Sequence, residues 1–124
     1  MPRYKLSCLA VLVFASITPF CWAQDWPQWR GPNRDGVISS FSEPKTWPER
    51  LTLKWKVKVG EGYASPVAAG GTVYLHTRQQ EREVVSSLRL DTGQTIWQET
   101  YPAPYSRHIA AFRHGKGPKS TPVL

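Results

Sequence analysis

The sequence predicts an all-β protein assembled from four-stranded antiparallel units, and three observations carry that expectation. Leu51 to Val59 alternates apolar and polar residues along its whole length, the period of a strand with one buried and one wet face. Four further short strands follow it, joined by tight turns, with no stretch of helical period between them. The landmarks Trp55 and Gly60-Glu61-Gly62 return as Trp97 and Gly115-Lys116-Gly117, with the two tryptophans 42 residues apart.

The chain opens with Arg3 and Lys5, an apolar run from Leu6 to Ile17, and the small residues Cys21 and Ala23 two apart. This is the layout of a secretory signal peptide over residues 1–23, cleaved after Ala23. The expected localisation is therefore periplasmic or secreted. The run is short for a bilayer span, and no transmembrane segment is expected after cleavage. Lipid attachment at Cys21 is disfavoured by the bulky Phe20 before it. Both cysteines, Cys8 and Cys21, leave with the signal, so no disulfide or thiol chemistry is expected in the mature chain. Loss of Arg3 and Lys5 lowers the formal charge from +7 to +5. That balance reads as dispersed surface Lys and Arg.

Residues 24–50 form a leader rich in Trp, Pro and Gly with no regular period. Its tryptophans, Trp26, Trp29 and Trp47, predict an irregular but ordered segment that clasps the body of a larger structure. In the strand that follows, Leu51, Leu53, Trp55, Val57 and Val59 share one face, and Lys54, Lys56 and Lys58 the other. No aromatic residue interleaves with the lysines, so a nucleic-acid partner is not expected.

Next come Ala64–Ala69, the turn Gly70-Gly71, Thr72–Arg78, a polar connection, Val84–Leu90, the turn Asp91-Thr92-Gly93, and Thr95–Thr100. A four-stranded meander is the unit of a propeller blade, and 42 residues is close to the length of such a repeat. The repeat extends further: Ser65-Pro66-Val67 returns as Ser120-Thr121-Pro122-Val123. Residues 51–124 are thus read as part of a β-propeller. Leu51–Val59 is the outer closing strand of one blade, 64–100 is blade one, 101–119 is a long connection, and 120–124 begins blade two. On this pattern the chain is truncated after its first blade. The remaining blades of the same propeller are its first expected partners, because a solitary unit leaves both faces wet.

Ser87, Arg89, Thr92, Gly93 and Trp97 together resemble the tryptophan-docking repeat of PQQ-like (pyrroloquinoline-quinone-like) β-propellers, Ala-x-Asp-x-x-Thr-Gly-x-x-x-Trp. Thr92, Gly93 and Trp97 stand at the family's offsets, while Ser87 replaces Ala and Arg89 replaces Asp. The leader Asp25-Trp26-Pro27-Gln28-Trp29-Arg30-Gly31-Pro32-Asn33-Arg34-Asp35-Gly36 is also similar to the start of exported PQQ-like repeat proteins of bacteria. The resemblance implies that Thr92, Gly93, Trp97 and Trp55 are structural docking residues, each Trp packing on a neighbouring blade.

The same resemblance implies two functions. The first is a binding or scaffold module of the cell envelope, with envelope proteins or glycans as partners. The alternative is a PQQ-dependent quinoprotein dehydrogenase, whose cofactor and calcium would be held by blades beyond Leu124. No residue here matches a cofactor or metal ligand of that family, and the single asparagine, Asn33, lies in the leader. No catalytic residue is assigned, since Ser65 and Ser120 have no paired base. The stretch with most chemical potential is the long connection. Arg107, His108, Arg113 and His114 make it a candidate anion-binding loop, although His108 and His114, six apart, fit no common zinc spacing.

Overall fold

The computed structural model describes residues 24–106, 108–109 and 113–124. Residues 1–23, read from the sequence as a signal peptide and holding both cysteines, lie outside the described residues, as does Arg107.

The chain is all-β. Four strands, β1 (Val67–Ala69), β2 (Thr72–Gln79), β3 (Arg82–Arg89) and β4 (Thr95–Pro102), form one antiparallel sheet in the order β1-β2-β3-β4. β1 is shorter than its sequence pattern. Pro66 has no N–H to give a ladder, and Tyr63, Ala64 and Ser65 bond instead to the segment at Pro118 and Thr121. β2 and β3 are longer than expected, closing on the two-residue turn Gln80-Glu81 with Gln80 left-handed at φ 57°.

Register assigns two faces. Val73, Leu75 and Thr77 lie opposite Leu88, Ser86 and Val84 on one face. Tyr74, His76 and Arg78 lie opposite Ser87, Val85 and Glu83 on the other, which β4 continues with Trp97, Glu99 and Tyr101. A bulge at Ser87/Leu88 leaves Ile96 without a cross-strand partner. The apolar core is small: Val67, Val73, Val84 and Leu88. Every residue of β4 is exposed.

Leu51–Val59, expected as the outer strand of a blade, lies outside the sheet. It has no ladder partner among the described residues, and Leu51 and Leu53 are 81% and 76% exposed. Instead it runs against the first face, held by its side chains and one carbonyl. The Trp55 indole N–H donates to Leu90 O at 3.0 Å, and Val59 O accepts from Thr77 Oγ1 at 2.8 Å and Gln79 Nε2 at 3.2 Å. A strand pattern states which side chains share a face but does not supply an edge to pair with.

The leader meets the free edge of β1. Trp26 and Ala68 exchange both backbone hydrogen bonds, at 2.7 and 2.9 Å, and Gly70 N–H donates to Asp25 Oδ1. Leu124 N–H reaches Pro27 O at 3.0 Å. Trp26 meets the sheet through its backbone, with its ring lying against Gly31 of the leader. Trp29 and Trp47 are 59% and 58% exposed, Trp47 stacking on Phe41 and Trp29 lying beneath the Arg30 guanidinium.

Candidate functional site

Thr92, Gly93 and Trp55 meet at the β3–β4 turn. Arg89 O accepts from Gly93 N–H, Arg89 N–H donates to Gln94 O, and Thr92 Oγ1 accepts from Gln94 N–H. Gly93 ends the turn at φ +71°, and a Cβ there would lie 2.6 Å from the Trp55 ring and 3.1 Å from Val57 Cγ2. The turn therefore needs glycine twice, for its backbone and for the indole seated on it. Trp97 sits elsewhere, on the second face, at 6.3 Å from Tyr74 between ring centroids across the small Ser87. No counterpart of Gly93 lies against it, and it stays 42% exposed.

At the opposite end of the sheet the two Gly-x-Gly landmarks touch. A Cβ on Gly117 would come within 2.6 Å of Gly62 Cα, and Tyr63 Oη accepts from Gly115 N–H at 2.8 Å. Ser65 N–H donates to Thr121 Oγ1 at 3.0 Å. Matching landmarks of the repeat are thus in direct contact.

Beside this junction opens a cavity of about 320 Å³ lined by Glu61, Arg78, Gln80, Glu81, Gly115 and Lys116. Arg78, at the end of β2, is 3% exposed. Its Nη2 donates to Glu81 Oε2 at 2.9 Å and Ala103 O at 2.6 Å, and the guanidinium lies 5.9 Å from the Tyr105 ring. Glu81 also accepts from Lys116 Nζ at 3.0 Å and Tyr105 N–H at 3.2 Å. Donation from Lys116, then from the Tyr105 amide, outweighs a small desolvation and holds the Glu81 carboxyl below its usual range.

On the second face His76, Glu83 and Tyr101 converge from three strands. Tyr101 Oη donates to Glu83 Oε2 at 2.6 Å, and His76 Nε2 lies 3.0 Å from the same oxygen and 3.2 Å from Tyr101 Oη. The phenol proton is committed to the carboxylate, so this geometry assigns a proton to His76 Nε2. The Tyr101 hydrogen bond lowers the pKa of Glu83 against desolvation, and the same bond raises that of Tyr101.

Of the candidate anion-binding residues, Arg107 lies outside the described residues. His108, Arg113 and His114 are exposed, and none of the three lines the cavity. Lys116 takes that place, together with Arg78 and Glu81, which sequence reasoning missed. An arginine ending an alternating strand reads as solvated, and only the fold-back of Ala103 and Tyr105 buries it. Among the described residues no three His, Cys, Asp or Glu side chains group as a metal site. No helix of the described residues is long and apolar enough to cross a membrane.

Compared with known families, curated proteins and solved structures, the chain matches no family model, no curated protein and no solved structure.

Proposed function

We propose that the protein is an exported PQQ-like β-propeller repeat protein, its four-stranded sheet one blade, serving as a binding or scaffold module of the cell envelope. The observation that carries this reading is the seat of Trp55 on Gly93. A tryptophan outside the sheet covers the turn glycine of the next unit, and Trp97, its repeat equivalent, stands on the opposite face. Contact between Gly62 and Gly117 supports the same arrangement, since neighbouring blades bring equivalent first-strand approaches together. The surface left over also agrees. Leu51, Leu53, Ile96, Trp97 and Tyr101 are exposed, and neighbouring blades would bury such faces.

The experiment is affinity purification of the exported protein from its envelope fraction, paired with titration of pyrroloquinoline quinone in the presence of calcium. A scaffold co-purifies a defined envelope protein or glycan and leaves the quinone unbound. Saturable, calcium-dependent quinone binding would transfer the protein to the oxidoreductases.

A further inference from the structure

We propose that the cavity beside the Gly-x-Gly junction binds a small zwitterion, its carboxylate toward Lys116 and its ammonium toward Glu61. The inference stands on the charges lining the cavity and not on the propeller reading. Both oxygens of Glu81 are occupied, Oε1 by Lys116 and Oε2 by Arg78 and the Tyr105 amide. One carboxylate thus answers two cations and leaves a positive charge in excess. Lys116 uses one of its three protons on Glu81. Glu61, also in the cavity wall, bonds to Arg78 only through its backbone, and its carboxylate has no partner among the described residues. The side chain of Gln80 also lines the wall, with no partner among the described residues.

The unused groups are therefore one positive charge, one negative charge and an amide. A bare anion would meet Glu61, and a bare cation would meet Lys116 and Arg78. A molecule with both charges satisfies the two sides at once. The volume, about 320 Å³, lies at the small end of ligand sites, which run from about 300 to 1,000 Å³, and suits an amino acid. Glu61 and Lys116 are in contact with water, so the attraction is screened by salt.

The test is a titration of the full chain, followed by the amide resonances of Glu61, Gly115 and Lys116 at low ionic strength. The probes are glycine, β-alanine and 4-aminobutyrate, with acetate and methylammonium as the half-ligands. At least one zwitterion should saturate these shifts at least tenfold more tightly than either half-ligand. Glu61→Gln and Lys116→Met should each weaken it at least tenfold while the remaining resonances keep their dispersion. Acetate binding as tightly as the best zwitterion, undiminished binding to Glu61→Gln, or no saturable shift with any of the three would overturn the proposal.

Discussion

Gly93 and Trp55 are the residues on which the packing turns. Replacing Gly93 by Ala sets a Cβ into the indole and forces a left-handed alanine, whose backbone term alone is about 1 kcal/mol. The variant should lose about 2 kcal/mol or more by denaturant titration, with a red-shifted tryptophan emission as Trp55 leaves its seat. Trp55→Ala should cost a similar ~2 kcal/mol, less than the 3–5 of a fully buried Trp because this ring is half-exposed. Trp55 stands out in the sequence by its spacing of 42 residues from Trp97, and Gly93 by its turn, whereas the docking of tryptophan on a neighbour is what the resemblance implies. Burial of Arg78 was not legible. It depends on Ala103 and Tyr105 returning to β2 from well along the chain, a tertiary event with no local signature.

Among the elements, the turns show how far local chemistry reaches. Gly70-Gly71 and Asp91-Thr92-Gly93 carry residues suited to left-handed backbone, and the strand ends that flank them fall within one residue of where the sequence places them. Gln79-Gln80-Glu81-Arg82 carries none, so the tight β2–β3 hairpin was hidden in what reads as a loose connection. Leu51–Val59 shows the converse, a strong strand pattern that joins no ladder in the described structure. The second face adds a pH dependence. Glu83 has a lowered folded pKa, so its contribution is present above the ordinary glutamate range near pH ~4.3 and is lost as pH falls through the lowered value. Tyr101 is raised, so the same contact is lost at the alkaline end only above about pH 10. Tyr101→Phe should therefore reduce the fall in stability between about pH 5 and pH 3, read from urea midpoints across that range.

At the scale of the whole molecule, a thin core, four buried apolar residues among those described, supports a sheet whose outer strand is wholly exposed. On the propeller reading a further blade covers the face that bears Trp97, and three more strands lie beside Leu51–Val59. Trp97→Ala should then cost about 0.5–1 kcal/mol in this chain by itself, the worth of its pairing with Tyr74. In the exported protein it should cost as much as Trp55→Ala. Export has its own check: terminal sequencing of the mature protein should begin at Gln24. The all-β sheet and its strand order followed from period and turns alone, whereas the polar cavity came from charges that only folding brings together. The most direct measurement is amide hydrogen exchange over Leu51–Val59 in the protein isolated from its host envelope. A blade strand paired in a ring would show strongly protected amides along this stretch. Exchange as fast as in an unstructured peptide would contradict the propeller and leave the stretch as the unpaired cover strip of a lone sheet.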